Sequence, residues 1–114
     1  MPLLTITTNQ EIDSSLSKSL LKQASETVAT MLGKPERYVM VNLSYNPQML
    51  FAGEDGALAY LELKSIGLPQ DRTAEFSQIL SDLISQQLTI ASDRIYIEFS
   101  DAERHLWGWN GKTF

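Results

Sequence analysis

The chain has 114 residues, of which 43% are hydrophobic and 20% are charged, a composition typical of one compact globular domain covering residues 1–114. Fourteen Asp and Glu residues against nine scattered Lys and Arg residues give a net charge of −5, so nucleic acid and anionic membranes are poor partners. The chain has no cysteine, which excludes disulfides, thiolate nucleophiles and cysteine-ligated zinc.

Neither a membrane span nor a secretory signal is apparent. No apolar run approaches the roughly 20 residues that a spanning helix needs. The opening segment MPLLTITT lacks the basic region and the long apolar core of a secretory signal. We therefore expect a cytoplasmic protein, although secretion without a leader stays open.

The first half of the chain predicts a strand, a helix and a second strand. Segment 3–8 is short and β-prone, and residues 13–15 offer N-caps for a helix whose apolar residues follow the 3.6-residue period. Gly33 and Pro35 end that helix. Segment 38–45 then predicts the second strand.

The same order of elements follows in the second half. Segment 57–65 predicts a third strand, and Asp71 is the expected N-cap of a helix that runs to about Leu88. Segment 94–100 predicts the fourth strand. The remaining residues, 101–114, suggest a loop followed by a short extended tail.

An offset of 57 residues superposes segment 37–44 on 94–101 and segment 3–6 on 60–63. The apolar residues of the two helices do not share this offset and match better two positions later than it places them. We interpret this pattern as a duplicated β-α-β unit, with chance agreement as the alternative. Right-handed connections would place both helices on one face of a four-stranded mixed sheet, an α+β fold.

The predicted strands are apolar on both sides. Val39 and Val41 point one way while Tyr38 and Met40 point the other. A chain of this size buries only about two-thirds of its unfolded surface. The face without helices therefore predicts burial by further subunits.

Pro2 has the most unusual chemical potential in the chain. Amino-terminal processing commonly removes Met1 when the second residue is small, and Pro2 would then be a free secondary amine. Burial in an apolar pocket beside a cation disfavours a protonated amine, which lets it act as a general base near pH 7. The alternative is that Pro2 only avoids an unpaired donor at an edge strand.

Several short motifs occur in order along the whole chain: MPxLxxxTN at the start, Gly33-Lys34-Pro35, Ser65-Ile66-Gly67, the segment 92–97 (SDRIYI), Gly108-Trp109-Asn110 and Thr113-Phe114. Jointly they resemble the macrophage migration inhibitory factor family of the tautomerase superfamily. The resemblance implies a homotrimer whose three sheets enclose a central channel. It also implies keto–enol tautomerase activity on small, phenylpyruvate-like α-keto acids, without a cofactor.

The resemblance further implies roles for individual residues. The Pro2 amine would be the catalytic base, in a pocket at the junction between two subunits. Lys34 would meet the acidic end of the substrate, and the backbone N–H of Ile66 would help to hold it. Tyr96 would come from the neighbouring chain, and the apolar mouth would be lined by Trp107 and Trp109.

Each of these residues also has a purely structural interpretation. Lys34 can complement the dipole at the end of its helix, a role that is compatible with substrate binding. Tyr96 can be an aromatic residue packed at a subunit interface. Trp107 and Trp109 can simply help the C-terminal tail to pack on the next subunit.

Two departures from the mammalian members bear on activity. Glu98 stands in place of an asparagine, and a carboxylate pointing into the pocket would raise the pKa of the Pro2 amine and weaken it as a base. Residues 56–59 (GALA) replace the mammalian CxxC, which excludes thiol oxidoreductase activity.

Metal chemistry has no support in the sequence. His105, the sole histidine, lies in a polar run typical of an exposed loop, and the acidic clusters lack the ligand spacing of a calcium loop. We therefore expect no metal site. The alternative to an enzyme is a non-catalytic, cytokine-like trimer that binds a protein partner and retains the pocket as a relic.

Overall fold

The computed structural model describes all residues 1–114. Its first half contains strand β1 (Pro2–Thr8), helix α1 (Ser14–Leu32) and strand β2 (Met40–Tyr45). Its second half contains strand β3 (Ala59–Ile66), helix α2 (Thr73–Leu88) and strand β4 (Ile95–Ala102). Two short strands, β5 (Gly108–Trp109) and β6 (Lys112–Thr113), form a hairpin at the end of the chain.

The four long strands form one mixed sheet in the order β2-β1-β3-β4. Strands β1 and β2 are parallel, as are β3 and β4, whereas β1 and β3 are antiparallel. The predicted sheet is therefore confirmed. Because β1 is an inner strand, the interpretation of Pro2 as an edge-strand residue is wrong: Pro2 is tolerated as the first residue of the strand.

Both helices contribute to one hydrophobic core on the same face of the sheet. Their buried residues join every second residue of β1 and β3: Leu4, Ile6, Leu20, Ala24, Val28, Leu61, Leu63, Phe76, Leu80 and Ile84. The other face of the sheet has no helix. Met40 and Tyr96 lie there with 65% and 66% of their surface exposed, so the expected two-sided apolar pattern is confirmed.

Helix α1 begins and ends as its sequence predicts. The Asp13 carboxylate accepts a hydrogen bond from the Leu16 N–H at 2.8 Å, and Gly33 adopts a left-handed φ of 63°. The Lys34 N–H donates to the Ala29 carbonyl at 3.0 Å, which completes a Schellman ending. This ending determines where Lys34 leaves the helix.

Helix α2 begins differently from the prediction. Residues Gln70–Arg72 form a 3₁₀ turn in which the Arg72 N–H donates to the Pro69 carbonyl at 3.1 Å. The helix itself starts at Thr73 without a side-chain cap. Asp71 lies inside the turn, so its predicted role as N-cap is wrong.

The strand limits and the tail also differ from the prediction. Strand β2 starts at Met40 because Glu36–Tyr38 form a 3₁₀ turn, closed by the Val39 N–H. The predicted tail is a hairpin, since Asn110 and Gly111 both have positive φ, 54° and 74°. These are the angles of the type I′ turn that an Asn-Gly pair favours.

The duplication is confirmed for the first strands but needs a correction elsewhere. The offset of 57 correctly superposes core-facing Leu4 on Leu61. For the later strands it superposes core-facing Val41 on exposed Glu98, because a one-residue shift exchanges the two faces of a strand. An offset of 56 aligns the other core residues, so the predicted two-position shift of the helices is wrong: Leu20 aligns with Phe76, Ala24 with Leu80, Val28 with Ile84 and Val41 with Ile97.

Candidate active site

A cavity of about 370 Å³ opens beside the first residues of β1 and β2. The two strands are parallel with Leu3 opposite Met40, so their starts meet at the same edge of the sheet. Eight of its eleven lining residues are hydrophobic. They come from the chain start, the segment before β2 and the C-terminal hairpin: Met1, Pro2, Leu3, Arg37, Tyr38, Val39, Met40, Trp107, Gly108, Trp109 and Phe114.

Pro2 is fully buried at this cavity, opposite Ser65 of β3. In the structure Met1 is still attached, so the Pro2 nitrogen is an amide. Burial, followed by the positive charges of Lys34 and Arg104, lowers the pKa of the Met1 amine below its ordinary value. The start of the chain is therefore a place where a protonated amine is disfavoured.

Three aromatic rings form one wall of the cavity. Trp109 and Phe114 stack with ring centres 5.5 Å apart and planes 15° apart, and Tyr38 meets them edge-on at 5.8 and 6.2 Å. The C-terminal hairpin brings these rings together, with the Phe114 N–H donating to the Trp107 carbonyl at 3.2 Å. The structure thus places both tryptophans at the cavity, where the resemblance implied them.

Lys34 and Ile66 are brought together. The Lys34 Nζ donates a hydrogen bond to the Ile66 carbonyl at 3.0 Å, and the same carbonyl accepts a bond from Ser65 Oγ at 3.2 Å. An ammonium group has three N–H donors. Lys34 therefore keeps donors for a ligand while it is anchored to the end of β3.

The turn that follows Ile66 is held by Asp101. Its carboxylate accepts the Leu68 N–H at 3.0 Å and the Gln70 Nε2 at 2.9 Å. These bonds, the one from Gln70 first, lower the pKa of Asp101. Asp101 was not predicted as a site residue, although the parallel pairing of β3 with β4 places it opposite Ser65.

Tyr96 does not reach Pro2 of the same chain. Tyr96 lies opposite Tyr60, which lies opposite Thr7, and Thr7 is five residues along β1 from Pro2. That separation is about 16 Å along the strand. Tyr96 instead packs on Phe51, with ring centres 4.7 Å apart.

Glu98 also lies away from the cavity of its own chain. It is exposed on the helix-free face, opposite Glu62, and accepts a hydrogen bond from the Tyr60 hydroxyl at 3.0 Å. Desolvation and this bond raise the pKa of Tyr60. Within one chain, therefore, the Glu98 carboxylate is not beside the Pro2 nitrogen.

Other cavity residues were not predicted as site residues. Arg37 and Tyr38 lie there because parallel pairing places the approach to β2 beside Pro2, a consequence of the predicted β-α-β unit. Phe114 lies there because of the hairpin turn, which the pair Asn110-Gly111 signals in the sequence.

The structure contains no group of three or more His, Cys, Asp or Glu side chains arranged to hold a metal ion. His105 is exposed, and its Nδ1 lies 3.5 Å from the Glu103 carboxylate. No helix combines the length and the apolar character needed to cross a membrane.

The sequence and the fold match known proteins over nearly their whole length. The family model described as macrophage migration inhibitory factor matches residues 1–114. A macrophage migration inhibitory factor homolog of Brugia malayi is 39% identical, covering 100% of this chain and 99% of that protein. The macrophage migration inhibitory factor of Meriones unguiculatus is 36% identical with the same coverage.

Solved structures agree with the sequence comparison. The crystal structure of a macrophage migration inhibitory factor homologue from Prochlorococcus marinus superposes with a TM-score of 0.92 at 43% identity, covering 98% of each chain. The macrophage migration inhibitory factor of Trichinella spiralis superposes with a TM-score of 0.90 at 32% identity, over 98% of this chain and 99% of that one. The chain therefore belongs to the macrophage migration inhibitory factor family, within the tautomerase superfamily.

Proposed function

We propose that this protein is an isomerase that interconverts the keto and enol forms of small, phenylpyruvate-like α-keto acids. Pro2, freed by removal of Met1, acts as the general acid and base. Membership of the tautomerase superfamily supports isomerase activity. The observation that carries the proposal is the fully buried proline at an aromatic cavity, beside a Met1 amine whose pKa is lowered first by burial and then by nearby positive charge.

The size and lining of the cavity agree with such a substrate. A volume of about 370 Å³ lies in the usual range for small-molecule sites. The stacked rings of Trp109 and Phe114 offer flat apolar surface for an aromatic group. Lys34 does not line the cavity, but its charge acts on the Met1 amine there, and it offers a cation for the carboxylate of the keto acid.

The reaction moves one proton and needs no cofactor. The neutral Pro2 nitrogen takes a proton from the carbon next to the carbonyl, and the electron pair of that C–H bond forms the enolate. Lys34 and the Ile66 N–H stabilise the negative charge or hold the carboxylate. The prolinium then gives its proton to the enolate oxygen, which restores the neutral amine and yields the enol.

We propose a homotrimer as the active form. The helix-free face and the edge strands β2 and β4 have no partner within one chain, and Met40 and Tyr96 are exposed there. Since Tyr96 is about 16 Å along the sheet from Pro2 of its own chain, its role requires a neighbouring subunit.

The same assembly determines the effect of Glu98. If the neighbouring Glu98 accompanies Tyr96 into the site, its negative charge raises the pKa of the Pro2 amine. Activity would then rise with pH over a higher range than in a Glu98→Gln variant. The two pH–rate profiles measure this contribution directly.

The test of the proposal is the state of the amino terminus. While Met1 is attached, the Pro2 nitrogen is a tertiary amide without a basic lone pair, and Met1 is one of the residues that line the cavity. We expect keto–enol activity to scale with the fraction of chains that start at Pro2. Intact-mass spectrometry and a phenylpyruvate assay, before and after aminopeptidase treatment, measure the two quantities.

Two outcomes would contradict the proposal. Equal turnover by fully methionylated and processed protein would show that Pro2 is not the base. No turnover above buffer by a processed trimer would favour the alternative, a binding module that retains the cavity. Sedimentation at micromolar concentration should give a mass near three subunits, and a stable monomer would exclude a site shared between chains.

A further inference from the structure

Arg37 lies on the cavity wall but has no part in the proposed proton transfer. Its guanidinium carbon is 4.7 Å from the centre of the Tyr38 ring. No carboxylate forms an ion pair with it. The preceding acid, Glu36, instead accepts a hydrogen bond from Ser25 Oγ of α1 at 2.8 Å. Arg37 therefore has N–H donors that remain free for a ligand.

Two further basic residues lie near residues of the cavity without lining it, although the chain as a whole carries −5. The Lys112 ammonium lies 5.9 Å from the centre of the Trp109 ring. Arg104 is close enough to the Met1 amine to contribute, after burial and Lys34, to its lowered pKa. Neither Lys112 nor Arg104 forms an ion pair. Within one chain, the only charged side chain that lines this largely apolar cavity is thus a cation, Arg37, and such a cation favours a ligand that carries a negative charge beyond the one at Lys34.

We propose that the substrate is a dianion, an aryl α-keto acid with a second acidic group on the ring. Lys34 binds the keto-acid carboxylate, and Arg37 binds the second acid. This inference rests on the proposed function, because it names the substrate class of the same site. Arg37 is then the residue that determines specificity for the charged ring.

The contacts of Arg37 suit it to this role. An arginine stacked on an aromatic face is oriented by the ring, and it presents its N–H groups edge-on for bidentate contact with a carboxylate. Trp109 and Phe114 provide flat apolar surface on the same wall. A substrate with one carboxylate at Lys34 would leave the Arg37 donors unused.

Binding of two unreactive probes tests the inference independently of catalysis. Cinnamate has one carboxylate, 4-carboxycinnamate has two, and neither compound enolises. Both tryptophans of the chain line the cavity, so a change in their fluorescence reports binding of either probe. The measurement uses protein from which Met1 has been removed. At low ionic strength we expect 4-carboxycinnamate to bind at least about tenfold more tightly than cinnamate, as for a charge-assisted hydrogen bond.

Two variants separate a specific contact from a general effect of charge. Arg37→Gln should reduce the tenfold preference to nearly one. Lys18→Gln removes the same charge from an exposed position on α1 and should keep the full preference. Arg37→Lys, which keeps the charge but not the planar fork, should restore part of it.

Equal affinity of the wild-type protein for the two probes would overturn the inference, as would a preference that survives in Arg37→Gln. Turnover of phenylpyruvate and its 4-carboxy derivative separates this result from the proposed function. An Arg37-dependent binding preference without turnover supports the anion site and overturns the tautomerase proposal. Turnover of both keto acids, without a binding preference for 4-carboxycinnamate, supports the tautomerase proposal and overturns the anion site.

Discussion

The two ends of the sheet both place an arginine against an aromatic ring, but the arginines differ in their remaining contacts. At the end away from Pro2, Arg94 lies over the Phe51 ring and donates hydrogen bonds to four backbone carbonyls. Their distances are 3.0 to 3.3 Å, and the acceptors are Phe51, Glu54, Gly56 and Ala57. At the Pro2 end, Arg37 lies over Tyr38 without a hydrogen-bond partner or an ion pair.

Asn9 shows the same pattern at the far end. Its amide donates to the carbonyls of Asp55 and Gly56 and accepts the Leu58 N–H, all at 3.0 to 3.1 Å. The polar groups of that end are thus used to hold the loop before β3. A cation whose donors are all satisfied by the protein is structural, whereas one with free donors beside a cavity is available to a ligand.

The largest expected effect is at Pro2. Pro2→Gly leaves a primary amine without the ring, and we expect kcat/KM for phenylpyruvate to fall by about 10²-fold or more, the usual contribution of a general base. Pro47→Gly, in the exposed turn after β2, makes the same substitution away from the cavity and should keep activity. A Pro2→Gly trimer with more than a tenth of the wild-type activity would contradict the role of Pro2.

Arg94 should matter for stability instead of turnover. Arg94→Met keeps most of the apolar stem but removes the donors to four carbonyls, and we expect unfolding to become easier by about 2 kcal/mol. Arg104→Met removes an arginine without an ion pair and should change stability by less than about 0.5 kcal/mol. Urea unfolding at one fixed protein concentration compares them, since assembly contributes to stability. Equal losses of stability in Arg94→Met and Arg104→Met would contradict a structural role for Arg94.

Lys34→Ala should lower kcat/KM by about tenfold, because a charge-assisted contact to the substrate carboxylate is lost. A second effect separates this role from a structural one. After burial, Lys34 contributes to the lowered pKa of the Met1 amine. We expect it to act likewise on the Pro2 amine of the processed chain, so its removal should raise that pKa and shift the rise of activity to higher pH. Lys22→Ala, exposed on α1, is the control. An unchanged rate and pH midpoint would make Lys34 only a helix-end charge.

The smallest effect is expected at Asp101. Hydrogen bonds from Gln70 and Leu68 lower its pKa in the folded protein, so its contribution to stability is present above the unfolded pKa. It is lost as pH falls through the lower, folded pKa. The stability difference between wild type and Asp101→Asn should therefore shrink between about pH 5 and pH 2. A difference that is constant over this range would exclude the carboxylate as the cause.

Much of the candidate site could be predicted from short motifs. Pro2 at the chain start and Lys34 behind Gly33 were predicted, and the structure brings Lys34 to Ile66. Asp101 and Arg37 were not, because their positions depend on which strands pair. Asp101 approaches the end of β3 only through parallel pairing with β4, and Arg37 approaches Pro2 only through the pairing of β1 with β2. The predicted β-α-β units imply that these strands are parallel, but which residues lie side by side depends on contacts between residues distant in sequence.

The one-residue error in the internal repeat has a related cause. Segments 37–44 and 94–101 both have apolar residues on both strand faces, so either register looks acceptable in sequence. Burial decides between them, since Val41 and Ile97 pack against the core while Glu98 faces away from it. A strand that is apolar on both sides is poorly specified by alternation alone.

The sequence by itself determined the four long strands, the two helices and their order, because caps, helical periodicity and β-branched runs act over a few residues. Asp13 and Gly33 limit α1 for local reasons that any surrounding fold would respect. Tertiary structure decided which groups share the cavity: Pro2, the ring of Phe114 and the free guanidinium of Arg37. It also separated Tyr96 from Pro2 by the length of a strand, since a tyrosine at one end of a sheet cannot reach the other end within one chain.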